Sequence, residues 1–127
     1  MITELRQAIY NLGKAITGIN SNFHFEQAPE STRFPYCVFS KVAGSITRDT
    51  AGEFREEYFQ VNTYATTLTE AELIESRVSA KFKNAETTLN NLITTNKIYS
   101  ITHQSDTQLK NGQVYQITQQ FLIKLYS

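Results

Sequence analysis

The stretch FREEYFQVNTYATTLTEAELIESRV, residues 54–78, carries a strand that leads almost directly into a helix. Side chains alternate along residues 54–65, and this period of two predicts a strand with two distinct faces. One face carries Phe59, Val61 and Thr63, and the other carries Phe54, Tyr58 and Tyr64. Because both faces carry aromatic residues, we expect one to cover a helix and the other to meet a neighbouring subunit.

The helix after this strand has a start signal of its own. Thr69 and Glu72 have the spacing of a capping box, in which each side chain bonds the other residue's backbone amide. We predict that the helix continues to about residue 84. Its buried stripe is predicted to contain Leu73, Ile74, Val78, Phe82 and Ala85.

The remaining elements are placed outward from this centre. Residues 2–17 repeat apolar residues at spacings of three and four, which predicts an amphipathic helix. Alternation or apolar runs predict strands at residues 22–27, 35–42, 97–104 and 113–126, and Asn111-Gly112 is typical of a hairpin turn. Two polar segments, residues 43–53 and 105–112, are predicted to be mobile loops.

This order, α-β-β-β-α-β-β, predicts an α+β fold. We expect an antiparallel or mixed sheet of four to five strands with two main helices packed on one face. The 127 residues suit a single domain that spans residues 1–127.

Charge and cysteine content bear on the class of protein and on its compartment. Twelve basic and twelve acidic residues give zero net charge, whereas a protein that grips DNA through its phosphates generally presents a basic face. The single cysteine, Cys37, favours a reducing compartment. We see no signal peptide and no apolar run long enough to span a bilayer, so we expect a cytosolic protein without a membrane partner.

Few residues offer catalytic chemistry. His24 and His103 each fall on the predicted polar side of a strand, and two histidines with one cysteine are weak support for zinc. Glu53, Glu56 and Glu57 surround Arg55, which predicts a solvated or inter-subunit charged segment rather than a catalytic pair. We therefore expect no enzyme activity, no metal and no cofactor.

Several short motifs resemble those of one family. A Pro-Tyr-x-Val-Phe strand at residues 35–39 follows the first helix, a Val61-Asn62-x-Tyr64-Ala65 strand leads into Thr67-Leu68-Thr69-Glu70 and a helix, and a β-hairpin comes last. In this order the chain resembles the tail-completion or tail-terminator proteins of long-tailed bacteriophages and prophages. The resemblance covers nearly the whole chain.

The resemblance implies a structural protein that acts as a ring, usually a hexamer. Such a ring caps the tail tube, ends its polymerisation and joins the tail to head connector proteins, while DNA passes through the lumen without specific binding. Assembly would take place in the host cytoplasm, and the protein would lie at the head-proximal end of the tail.

Ring closure needs two different patches on each subunit, and the sequence offers candidates for both. The predicted contact residues come from the polar segments and the aromatic strand: Arg48, Asp49, Arg55, Glu57, Tyr58, Tyr64, Asp106 and Lys110. Two alternatives remain open, namely a head-closure or stopper subunit and a small hydrolase or ligand-binding domain. The second would require a pocket that gathers His24, His103 or the glutamates of residues 53–57.

Overall fold

A computed structural model of the chain describes residues 3–49, 52–83, 85–93 and 97–126; the side chains of residues 43, 45, 47–49 and 99 lie outside this description. The elements are α1 (Thr3–Lys14), β1 (Phe23–Phe25), β2 (Tyr36–Asp49), β3 (Gly52–Ala65), α2 (Leu68–Phe82), α3 (Glu86–Asn90), β4 (Lys97–Asn111) and β5 (Val114–Tyr126). The predicted element order is confirmed, with the short helix α3 added between α2 and β4.

The strands form one mixed sheet of five strands in the order β1-β2-β3-β5-β4. β1 pairs with β2 in parallel, and every other pairing is antiparallel. The predicted α+β class and strand number are therefore confirmed. β5, which comes last in the sequence, lies between β3 and β4 in the interior of the sheet.

The helices pack on one face of this sheet, which we call the helix-covered face. Phe82 of α2 contacts the rings of Phe59 and Phe121, with centroids 5.6 and 5.7 Å away. Ile117, Phe121, Ile123 and Leu125 of β5 are buried on the same side, as the alternation of residues 113–126 predicts. The opposite side of the sheet is called the bare face.

α1 is shorter than predicted, because it ends at Lys14 instead of residue 17. The apolar residues that repeat at spacings of three and four are Ile2, Leu5, Ile9, Leu12 and Ile16. Of these, Leu5, Ile9 and Ile16 are buried, Leu12 is half-buried, and Ile2 lies outside the described residues. Gly13, which weakens the helical pattern, permits a close approach: a Cβ atom there would lie 2.3 Å from the ring of Phe23. The glycine is therefore explained by packing between α1 and β1.

The predicted start of α2 is wrong by two residues. The helix begins at Leu68, and the Thr67 hydroxyl, rather than that of Thr69, accepts a hydrogen bond from the Glu70 amide at 3.2 Å. One member of the predicted stripe is also wrong, because Leu73 is exposed and Ala71 is buried in its stead. The side chains that α2 buries are Ala71, Ile74, Val78 and Phe82.

The two predicted loops are strands. β2 and β3 pair from Tyr36 opposite Tyr64 to Asp49 opposite Gly52, so residues 43–49 belong to a long hairpin. Likewise, β4 continues to Asn111, and only Gly112 and Gln113 form the turn before β5. Cross-strand backbone bonds hold these segments extended although their sequence is polar. None of the helices in the described ranges is long and apolar enough to cross a lipid bilayer.

Candidate interaction surfaces

The bare face carries very little charge. Among the side chains that the structure describes on its strands, only Glu56, Lys97 and Lys124 are charged, and all three lie toward one end of the sheet. The centre is formed by amides and hydroxyls, namely Ser40, Gln60, Asn62, Gln116, Thr118, Gln120, Ser105 and Thr107. A surface of this kind can form hydrogen bonds, but it has little electrostatic attraction for a polyanion.

Part of this polar centre is organised by internal hydrogen bonds. The hydroxyl of Thr118 and the side-chain amide of Gln116 both donate to Asn62 Oδ1, and Gln116 lies 3.2 Å from it. Asn62 is only 9% exposed, so the network fixes its side chain on the sheet. This order favours a preformed surface over a flexible one.

Aromatic pairs flank the polar centre. Toward one end, Tyr36 and Tyr64 stack with ring centroids 5.0 Å apart, and Phe34 lies beside Tyr36. Burial, with a smaller contribution from Tyr36, raises the pKa of the Tyr64 hydroxyl. Toward the other end, Phe54 and Tyr126 pair at 5.9 Å and both remain exposed.

The predicted contact residues of the β2–β3 hairpin fall into different environments. Arg55 donates to Glu53 within the strand, at 2.9 Å. Glu57 is 3% exposed on the helix-covered side, and its carboxylate lies 3.6 Å from the Lys41 ammonium. Its ion pair therefore lies within the hairpin of a single subunit. Arg48 and Asp49 lie in β2, but their side chains are outside the described part of the structure.

The other four predicted contact residues lie at separate places. Tyr58 and Tyr64 are half-buried on the bare face of β3. Asp106 and Lys110 are exposed on β4, where the Lys110 ammonium sits over the ring of Tyr115 at 5.2 Å. The eight predicted residues therefore do not form one patch, which is compatible with two different surfaces on one subunit.

Sequence reasoning missed a titratable cluster between α2 and β4. Glu75 faces Asp106 and His103, and Asp106 also contacts the His103 imidazole. Burial first, and then the hydrogen bond and negative charge of Asp106, raise the pKa of Glu75 to about 7. No spacing in the sequence reveals this cluster, because it depends on which strand lies beside α2.

The structure does not bring the two histidines together with Glu53 and Glu57. The prediction that His103 lies opposite the apolar side is wrong, since its ring stacks on Phe121 with centroids 4.9 Å apart. His24 lies on β1, across the sheet from His103, and Glu53 and Glu57 lie on β3 between them. Within the described residues, no group of three or more His, Cys, Asp or Glu side chains is arranged to hold a metal ion.

Comparisons with known proteins were made with the sequence and with the fold. The profile of the family described as "Tail completion protein gp17" matches residues 7–126, which span all eight elements except the start of α1. No curated protein matches the sequence significantly.

Two solved structures share the fold over nearly the whole chain. A chain of the "Virion of native gene transfer agent (GTA) particle" superposes with a TM-score of 0.74 at 12% identity, covering 97% of this chain and 95% of that one. A second solved chain superposes with a TM-score of 0.58 at 17% identity, covering 98% and 96%. At these identities the similarity establishes a common fold.

Proposed function

The chain belongs to the family of tail completion protein gp17, and on this premise we propose that it caps the tube of a phage tail. In that role it ends tube polymerisation and joins the tail to the head connector proteins, as a ring of six subunits. The observation that carries the proposal is the family match over residues 7–126, which extends from α1 to the end of β5.

The architecture suits a subunit that contacts several neighbours. The helices of the described residues stand on one face, which leaves the bare face and part of each sheet edge available for contacts. A ring needs a heterologous interface, in which one patch meets a different patch on the next subunit. Asp106 and Lys110 lie on β4, at one edge of the sheet, whereas Arg48, Asp49 and Arg55 lie on the β2–β3 hairpin, which β5 separates from β4.

The charge distribution supports passage of DNA without specific binding. The chain has zero net charge, and the bare face has an uncharged centre. Tight binding to DNA relies on basic side chains that displace counterions from the phosphates. We place the protein in the host cytoplasm during assembly and in the virion at the head-proximal end of the tail.

Removal of the protein from a producing cell tests this role. We expect tails whose tubes are irregular in length and are not joined to heads, and we expect the wild-type gene to restore normal particles. Electron microscopy of the particles measures both properties. Tubes of normal length joined to heads in the complete absence of the protein would contradict the proposal.

A paired charge reversal separates contact from folding. Asp106→Lys combined with Lys110→Glu keeps the net charge at zero and changes two exposed residues, so we expect a folded protein that fails to restore particles. The matched control reverses Glu30→Lys and Arg33→Glu, two exposed residues of the loop between β1 and β2. We expect this control to restore particles, and circular dichroism checks that both variants fold.

A further inference from the structure

The outer edge of β4 is closed over its first half only. The side-chain amide of Asn90 bonds both the N–H and the C=O of Ile98, at 2.7 and 3.1 Å. The carboxylate of Glu86 accepts from the N–H of Ile101 at 3.1 Å. Beyond these caps, His103–Asn111 is exposed at every residue, and β5 is its single strand partner within the described chain. We call His103–Asn111 the open half of β4.

The outer edge of β2 is closed over its first half as well. β1 pairs with residues 37–39, and flanking bonds run from the Cys37 N–H to Asn22 O and from the Glu26 N–H to Phe39 O, at 2.9 and 2.8 Å. Past these residues, Lys41–Asp49 pairs with β3 alone among the described residues. We call Lys41–Asp49 the open half of β2. Open strand edges are templates for pairing with another chain.

The backbone groups on the two open halves are compatible with each other. Strand residues alternate between bonding the inner neighbour and facing the outer edge. On β4, the backbone N–H groups of Ile98 and Ile101 face the outer edge. By the same alternation, so do the backbone groups of Asp106, Gln108 and Lys110. On β2, Cys37 and Phe39 face outward, and beyond the bulge between Lys41 and Ala43 the outward positions are Gly44 and Ile46. All of these residues lie on the helix-covered side, so antiparallel pairing would keep every helix on one side of a joined sheet.

The two open halves lie at opposite ends of the sheet. Their midpoints are Ser45 and Thr107. The residue pairings across β5 and β3 place Thr107 at the same level along the strands as Val38. Ser45 lies seven positions after Val38 in β2, and the bulge takes up one of these positions, so the two residues are six cross-strand pairs apart. At about 3.4 Å per residue, pairing the midpoints shifts successive subunits by about 20 Å along the strands.

This shift has the size that ring closure requires. With the gap to the next subunit included, the four strands β2, β3, β5 and β4 repeat every ~19 Å, at about 4.8 Å per strand. A shift of about 20 Å over that width tilts the strands by about 45°, which is at the upper end of the range of about 35–45° in closed barrels. A sheet joined in this manner would therefore have the strand tilt of a closed barrel.

We propose that the open half of β2 in one subunit pairs antiparallel with the open half of β4 in the next, so that the sheets run around the ring without interruption. The inference rests on the ring proposed above and specifies its interface. Three aliphatic side chains lie exposed on the two open halves and lose water on pairing: Val42, Ile46 and Leu109 are 48%, 52% and 56% exposed. The partner is a second copy of this chain.

Cysteine pairs test the interface in assembled tails. Ile46→Cys is combined in turn with Asp106→Cys, Gln108→Cys and Lys110→Cys, which are the three outward positions that could oppose it. Directly opposed residues of an antiparallel pair lie about 5.5 Å apart at their Cα atoms, a separation that a disulfide spans. We expect at least one combination to give, after oxidation, a covalent ladder that ends at the full ring on a non-reducing gel.

The controls separate this interface from the ring itself. Ile46→Cys with Gln120→Cys, which places the second thiol on the interior strand β5, is expected to remain monomeric on the gel, as is each single variant. If electron microscopy shows rings and all three combinations stay monomeric, the edge pairing is wrong and the ring proposal stands. If no rings form in wild-type tails, the proposed function fails together with the interface.

A proline substitution gives an independent readout. Gln108→Pro removes an outward N–H without removing a bond to β5, so we expect unchanged thermal unfolding and at least a tenfold loss of incorporation into tails. Gln108→Ala keeps the N–H and is expected to incorporate like the wild type. Normal incorporation of a folded Gln108→Pro protein would overturn the pairing, and if the variant does not fold the cysteine pairs decide the question.

Discussion

The ring of Phe23 rests against the backbone of Gly13, so closely that a Cβ atom on Gly13 would come within 2.3 Å of Phe23 Cδ1. Phe23 in turn stacks on Phe39, with ring centroids 5.1 Å apart, and its ring centroid lies 6.1 Å from that of Phe82. Its ring therefore has little room to move away, because β2 and α2 hold it from the other sides.

We expect Gly13→Ala to destabilise the protein despite the better helix propensity of alanine. Overpacking of a filled core costs about 1–3 kcal/mol, more than the roughly 1 kcal/mol that alanine gains over glycine within a helix. Urea unfolding measures the difference. Asn11→Ala, an exposed change in the same helix, is expected to stay within about 0.5 kcal/mol of the wild type. Equal stability of Gly13→Ala and the wild type would mean that Phe23 can shift.

The helix cap makes a second prediction. Thr67→Ala removes the hydroxyl that accepts from the Glu70 amide, and we expect a loss of about 1 kcal/mol of unfolding free energy. Thr69→Ala lies inside the helix at an exposed position, so we expect little change. A larger loss of stability for Thr69→Ala than for Thr67→Ala would contradict this cap and would support Thr69, the capping residue that the sequence predicts.

Ser79 provides a polar contact in an otherwise apolar layer. The Gln119 amide donates to the Ser79 hydroxyl at 2.9 Å and to the Glu75 carbonyl at 3.2 Å, and Gln119 is fully buried. We expect Ser79→Ala to cost about 1 kcal/mol, because a buried donor loses its better acceptor. Ser76→Ala, the same change at an exposed position of α2, is the control in the same unfolding experiment. No difference between the two variants would show that the contact contributes nothing to stability.

The raised pKa of Glu75 predicts a pH-dependent stability. Its pKa rises from 4.5 in the unfolded chain to about 7 in the folded protein, so between these values the folded state binds more protons. The contribution of the protonated carboxyl is present below about pH 4.5 and is lost as the pH rises toward 7. Glu75→Gln stays neutral, and we expect it to be about 1 kcal/mol more stable than the wild type at about pH 8, after allowance for solvent screening.

The advantage of Glu75→Gln is expected to vanish below pH 4.5, where the wild-type carboxyl is protonated in both states. Thermal unfolding across this pH range measures it. Asp106 is the main charged neighbour, with Glu72 adding repulsion and His103 acting in the opposite direction. Asp106→Asn is therefore expected to lower the pKa of Glu75 and to remove part of the same effect. An advantage that is equal at all pH values would point to a cause other than ionisation.

Cys37 is expected to resist thiol reagents. Burial raises the pKa of its thiol to about 11, against a smaller opposing effect of its hydrogen bond with Thr63. The reactive thiolate is therefore scarce at about pH 8, and the side chain is fully buried. We expect native protein to label only as fast as it unfolds. Thr107→Cys adds an exposed thiol and is expected to label at once with one equivalent.

The period of two along β3 and β5 made the sheet predictable, because burial selects the side chains of one face. Phe59, Phe121 and Ile123 illustrate it, since each is buried on the predicted side. The outer parts of β2 and β4 lack such a signal. Their strands are held by backbone pairing across a hairpin, so polar residues such as Ser105 and Thr107 suffice, and the sequence there predicts loops instead.

Contacts between distant segments were also beyond sequence reasoning. Glu75 and Asp106 look unrelated along the chain, and they meet only because β4 lies beside β5 under α2. The capping error has a local cause, because Thr67-Glu70 and Thr69-Glu72 offer competing boxes two residues apart. Packing of Ala71 and Ile74 against the sheet selects the first of them.

The position of β5 in the interior of the sheet bears on how the chain is made. A ribosome delivers β2, β3 and α2 well before β5, so β3 must wait with one edge unpaired until the final strand emerges. Pairing of Phe54 with Tyr126 then closes residues 54–126, more than half of the chain, into a single loop, and such distant pairings form slowly. Until that moment the nascent sheet contains only β1, β2 and β3, and the unpaired edge of β3 is vulnerable to aggregation. Folding of this protein is thus completed only after synthesis of its last strand.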